Sequence, residues 1–149
     1  MTAYSSFAEA GRLLAVEVLA SGRFFDPCVI GMNARGQLVA SPVARALGVP
    51  CEPVAVLKTG DSVTTTELPE TLGRTVIVVD DGVESGTAAR VVGVAIRATG
   101  ALRIVLAVPV CPQERIAELG AIYDELAVLH VCADGLPLEG HYLDFDLLS

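Results

Sequence analysis

Thr75-Val76-Ile77-Val78-Val79-Asp80-Asp81-Gly82-Val83-Glu84-Ser85-Gly86-Thr87-Ala88-Ala89 is the stretch on which the fold turns. Its first five residues are all β-branched, with no alternation to mark a wet side, as a strand buried on both faces of a parallel sheet requires. Asp80 and Asp81 fall at the carboxyl end of that strand. Ser85, Gly86 and Thr87 then open a segment with Val91, Val92, Ala95 and Ile96 at helical spacing, Gly100 as a stop signal, and Arg90 and Arg97 off the apolar stripe. The order is strand, loop, helix.

The same alternation runs outward in both directions. Ser6-Phe7-Ala8-Glu9 has the form of a capping box for a helix to about Leu19, and Asp26-Pro27 announces a strand from Cys28 to Met32. Ser41-Pro42 reads as the start of a helix ending near Leu47, with proline at a position that needs no N–H. Cys51 to Lys58 is the second expected strand and Thr75 to Asp80 the third. Beyond the helix from Thr87, Leu102 to Val110 is the fourth, closed by Pro112; a short helix from Gln113 to Leu119 precedes the fifth, Ala127 to Val131. Strands alternating with helices imply one α/β domain over residues 1–149: a mainly parallel five-stranded sheet with right-handed crossovers and helices on both faces. Ligands of such sheets lie beyond the carboxyl ends of the strands, where Arg35, Lys58 and Asp80 emerge.

At such an end, backbone N–H groups and the positive end of a helix dipole hold a phosphate without a lysine, and small residues let it approach. Carboxylates cannot bind that phosphate. Asp80 and Asp81 therefore need sugar hydroxyls or a hard cation such as Mg²⁺, and the combination points to a ribose 5-phosphate. The alternative is a turn whose aspartates only cap the next helix.

Composition bounds the function. With 52% hydrophobic and 19% charged residues the chain is a compact globule with a sizeable core. Its net charge of −8, with Lys58 the only lysine, argues against a nucleic-acid partner, since phosphate backbones are held by clustered Lys and Arg. Apolar runs are too short for a membrane helix, the start lacks a basic signal-like region, and a cytoplasmic location follows as the default. Cys28, Cys51, Cys111 and Cys132 are too widely spaced for a zinc motif and read as core thiols; His130 and His141 lack partners at ligand spacing.

The string from Val76 to Ala88 resembles the phosphoribosyl pyrophosphate (PRPP) motif of the type I phosphoribosyltransferases: apolar residues, an acidic pair, two variable positions and a small-residue loop. Gly31-Met32-Asn33-Ala34-Arg35-Gly36, then Ala44-Arg45-Ala46-Leu47-Gly48-Val49-Pro50 and Pro53-Val54-Ala55-Val56-Leu57-Lys58, is similar to the pyrophosphate loop, helix and next strand of the adenine and xanthine branch. The resemblance implies that Asp80 and Asp81 contact the ribose hydroxyls directly or through Mg²⁺, and that Ser85, Gly86, Thr87 and Ala88 hold the 5′-phosphate. It places Ala34, Arg35, Gly36 and Lys58 at pyrophosphate, with a cis peptide often found in that loop, and Glu84 near the base as a proton acceptor or relay. It also implies a core of about residues 28–131, a base-recognising hood from residues 1–27 and 134–149, and a homo-oligomer, in that family a dimer. Tyr142 and Phe145 in the tail either stack on a base or seal the C-terminus onto the core.

Two positions depart from the family pattern. Ala88 lacks the usual hydroxyl, removing a charge-assisted hydrogen bond worth about 1.5–3 kcal/mol. The catalytic lid of the family is reduced to Thr59–Arg74, whose only cation is Arg74. The expected function is Mg²⁺-dependent transfer between PRPP and a nucleobase, a purine, giving a nucleoside monophosphate and pyrophosphate. The runner-up, motivated by Ala88 and the short lid, is a protein that binds PRPP or a nucleotide as a sensor.

Overall fold

The structure, a computed structural model, describes residues 4–133 and 138–142. A first helix, α1 (Phe7–Ala20), starts where the Ser6 hydroxyl accepts from the Glu9 N–H at 3.1 Å. The Glu9 carboxylate closes the cap on Ser5, accepting from its N–H and its hydroxyl at 2.9 Å each. Phe7, Ala10, Gly11, Leu14, Ala15 and Val18 make the buried stripe.

Five parallel strands form the sheet: β1 (Pro27–Met32), β2 (Cys51–Val54), β5 (Thr75–Val79), β6 (Arg103–Pro112) and β7 (Glu125–Cys132), in spatial order β2-β1-β5-β6-β7. Every residue of β5 is buried. Ile77 and Val79 pack toward α1 and α2 (Asn33–Leu47), while Val76 and Val78 pack toward α3 (Thr87–Ala98), so each face of the sheet has its own core. A 3₁₀ turn, Gln113–Arg115, and α4 (Ile116–Gly120) link β6 to β7. In this order β1 and β5 are neighbours whose following helices lie on opposite faces, which opens a crevice between their carboxyl ends.

Two elements differ from expectation. The helix after β1 begins at Asn33, not at Ser41-Pro42, and Pro42 lies inside it. Pro42 deprives the helix of one N–H. It is accommodated at the crossing with α1, where a Cβ on Gly11 would lie 2.3 Å from the Val39 carbonyl oxygen and 2.9 Å from Pro42 Cγ. The expected strand Cys51–Lys58 breaks at Ala55: β3 (Val56–Thr59) leaves the sheet and pairs antiparallel with β4 (Ser62–Thr65) around a turn with Gly60 at φ 60°. The break is fixed from outside the strand, by Asn33 Oδ1 accepting from the Val56 N–H at 3.1 Å. The first part of the short lid is thus a hairpin arm.

Among the described residues no helix is long and apolar enough to cross a membrane. Cys28, Cys111 and Cys132 are buried and Cys51 is half-buried; all four are free thiols. Burial raises the Cys111 thiol to about 11, with Cys132 beside it acting in the same direction.

Candidate active site

The crevice is bounded on one side by the start of α2 and on the other by the loop after β5. Asn33, Ala34, Arg35, Asp80 and Asp81 line one cavity; residues Asp80 to Ala89 together with Leu138 line the adjoining one. Asn33 takes φ 58°, a left-handed conformation that asparagine tolerates, and so turns the chain from strand into helix while its side chain anchors the hairpin. Ala34, Arg35 and Gly36 form the first turn of α2, and the peptide bonds among the described residues are all trans. Gly36 permits close approach: a Cβ there would lie 3.0 Å from Asp80 Oδ1 and 3.1 Å from the Val79 carbonyl oxygen.

Asp80 and Asp81 stand side by side, with Asp80 Oδ1 accepting from the Asp81 N–H at 2.8 Å. Burial, and then the negative charge of Asp81, hold the Asp80 carboxyl well above the usual carboxylate range. Asp81 is raised as well, chiefly by burial, while hydrogen bonds with the Asp80 side chain and with its own backbone, and then the charge of Arg35, pull it back down and Glu84 adds to the rise. Two crowded, desolvated carboxylates with one guanidinium nearby make a site short of positive charge. The donor set, two hard oxygens at the rim of an open cavity, suits Mg²⁺, which takes one or two carboxylates and completes its shell with water and substrate oxygens. No group of three or more metal-ligating side chains occurs among the described residues.

The loop ahead of α3 carries the other half. Gly86, at φ 85°, is the residue preceding the helix; the Ser85 hydroxyl accepts from the Thr87 N–H at 3.3 Å and lies 3.2 Å from the Thr87 hydroxyl. The start of α3 thus lines the cavity with the small residues Thr87, Ala88 and Ala89, an arrangement that lets an anion approach a helix N-terminus. Ala88 lines it with a methyl group.

Three further residues line neither cavity. Lys58 is exposed on the hairpin arm and is not among the residues lining either cavity. Arg74, the cation of the short lid, sits at the amino end of β5 and is tied down there: its guanidinium donates to the carbonyls of Pro27 at 3.0 Å and Glu70 at 3.1 Å and pairs with Asp26 at 3.3 Å. Tyr142 is buried against Tyr4 and Phe7, at centroid distances of 5.4 and 4.5 Å, and donates its hydroxyl to the Asp81 carbonyl at 2.7 Å, so the ring packs onto the core, the second of its two expected places. Phe145 lies outside the described residues. Two residues with a place at the site went unread: Asn33, signalled only by its tolerance of a left-handed turn, and Leu138, for which the sequence carries no signal.

No curated protein matches the chain. The structure of TT1426 from Thermus thermophilus superposes with a TM-score of 0.84 at 25% identity, covering 97% of this chain and 92% of that one. Purine phosphoribosyltransferase from Pyrococcus horikoshii superposes at 0.63 with 20% identity, over 88% and 90% of the two chains. Adenine phosphoribosyltransferase from Thermoanaerobacter pseudethanolicus does so at 0.57 with 22% identity, over 79% and 78%. The model of the phosphoribosyl transferase domain matches residues 4–128, a span that holds both sides of the crevice, and the chain belongs to that family.

Proposed function

We propose that the protein transfers a phosphoribosyl group between PRPP and a purine base in a Mg²⁺-dependent reaction, with a nucleoside monophosphate and pyrophosphate on the other side. The observation that carries this is the convergence of the Asp80–Asp81 pair, Arg35 and the Gly86 loop on one crevice between β1 and β5. The loop and the N-terminus of α3 hold the 5′-phosphate, Asp80 and Asp81 take the ribose hydroxyls, and the first turn of α2 with Arg35 faces the pyrophosphate. Asp80 and Asp81 are also the residues that would hold Mg²⁺, whose charge offsets that of the pyrophosphate oxygens when bound. As the leaving group departs, the anomeric carbon gains positive charge, which the nearby carboxylates stabilise; positioning and fixed charge carry the catalysis.

A second reading, a sensor that binds PRPP without turning it over, is favoured by one observation: the only cation of the short lid is engaged at the far end of the sheet. Pyrophosphate release from PRPP and Mg²⁺, assayed with adenine, guanine, hypoxanthine and xanthine in turn, separates the two. Release with at least one base is expected. Thermal stabilisation by PRPP without release with any base would establish the sensor, and neither response would overturn both.

A further inference from the structure

The C-terminal segment Leu138–Tyr142 is fastened to the acidic loop at three points. The Leu138 N–H donates to Glu84 Oε1 at 3.1 Å, and the Tyr142 hydroxyl donates to the Asp81 carbonyl at 2.7 Å. Between these bonds the Leu138 side chain lies over Gly82, where a Cβ would fall 2.3 Å from Leu138 Cδ2. Gly82 holds φ 150°, so both its conformation and its bareness suit this contact. Leu138 is the one residue outside the Asp80–Ala89 loop, among those described, that lines the loop's cavity. The segment is anchored on its other side by the Tyr4 N–H, which donates to the His141 carbonyl at 2.8 Å.

Glu84 is thus an exposed side chain with one carboxylate oxygen engaged by a backbone N–H of the segment that walls the site. We propose that Glu84 is a positioning residue: it latches the C-terminal segment across the site, and the Leu138 side chain so placed is the apolar surface against which the base of a nucleotide lies. The proposal rests on the PRPP and purine reading above. It replaces proton transfer by Glu84 with a geometric role, and it predicts that Glu84 matters for ligands that carry a base and not for PRPP, which has none.

The full chain with Glu84→Ala or Glu84→Gln tests this by titration with PRPP and with AMP, GMP and IMP, alongside hydrogen exchange at residues 138–142. Loss of a hydrogen bond to a charged acceptor should weaken the best-bound monophosphate about ten- to a hundredfold in Glu84→Ala. PRPP affinity should stay unchanged, and amide exchange at Leu138–Tyr142 should accelerate. Glu84→Gln, whose amide oxygen still accepts from the Leu138 N–H, should restore both the affinity and the protection. Equal loss of monophosphate affinity in the two variants would overturn the latch, as would unchanged exchange in Glu84→Ala. A collapse of turnover in Glu84→Gln with the segment still protected would return Glu84 to proton transfer. If wild-type protein binds no monophosphate, the purine reading fails by itself, and accelerated exchange in Glu84→Ala would still support the latch.

Discussion

Asp80→Asn should make the ligand-free protein more stable while removing its response to Mg²⁺ and PRPP. The carboxylate of Asp80 is half-buried against the first turn of α2 and stands beside the charge of Asp81. For scale, two like unit charges at a generic separation of about 5 Å and an effective dielectric near 20 repel by about 3 kcal/mol. The guanidinium of Arg35, which favours the charged form of Asp81, and residual solvent reduce this, leaving a net gain of about 1–2 kcal/mol for the neutral side chain. The asparagine oxygen can still accept from the Asp81 N–H, so the backbone geometry survives. For a chain of this size such a gain raises Tm by roughly 2–8 °C. The sign with pH follows from linkage. A carboxyl whose proton affinity is raised by folding contributes stability that is present below its unfolded value of 3.8 and lost as pH rises through the higher folded value. The advantage of Asp80→Asn should therefore be larger at pH 8 than at pH 4. Urea unfolding at both pH values, with and without Mg²⁺ and PRPP, is the assay. Wild type should gain about 2.7 kcal/mol at a hundredfold excess of ligand over Kd, and the variant little of it. A variant less stable than wild type at pH 8, or one whose advantage persists unchanged at pH 4, would refute the reasoning.

Gly11→Ala pushes a methyl group into the Val39 carbonyl at the α1–α2 crossing and should cost about 1–3 kcal/mol in chemical denaturation, with ligand affinity per folded molecule unchanged. Ala88→Thr restores a hydroxyl facing the phosphate loop and should tighten PRPP about tenfold by calorimetric titration. Under native conditions near pH 8 a thiol reagent should label Cys51 first, because it is the cysteine that is not fully buried, while Cys111, pushed up to about 11, should react only on unfolding. Mass spectrometry of partially labelled protein reads that order.

How far the sequence discloses this molecule depends on whether a residue's surroundings are local. The β5 strand is legible because burial from both sides imposes β-branched residues at every position, and the loop after it because small residues run from Ser85 into the start of a helix. The start of α2 is not legible. Ala34-Arg35-Gly36-Gln37 lacks an apolar stripe of its own, and Pro42 reads as a helix beginning unless one knows that Gly11 of another helix leaves room for its ring. The break at Ala55 is hidden for the same reason: Val54-Ala55-Val56 is continuous in character, and the interruption comes from Asn33, 23 positions away. Tyr142 offers an amphipathic ring suited either to a base or to a core, and only the positions of Tyr4, Phe7 and the Asp81 carbonyl decide between them.

These tertiary decisions bear on the chemistry. Excluding water from a cation-like transition state requires a cover, and the segment in which a cover was expected contributes a hairpin arm at its start and a structurally engaged arginine at its end. Beside the acidic pair, Leu138 of the C-terminal segment packs on Gly82. Leu138 is held by Glu84 and Tyr142 is bonded to the Asp81 backbone, so the C-terminal segment is fastened to the loop that carries the acidic pair. In the proposed reaction, charge on the leaving pyrophosphate would fall to Arg35, the first turn of α2 and the metal that Asp80 and Asp81 would hold. In the proposed reaction, turnover would depend on how well that small set serves without a longer lid, whereas binding would depend mainly on the loop before α3. Measuring pyrophosphate release and PRPP affinity on the same samples therefore separates what the crevice retains from what the shortened segment has given up.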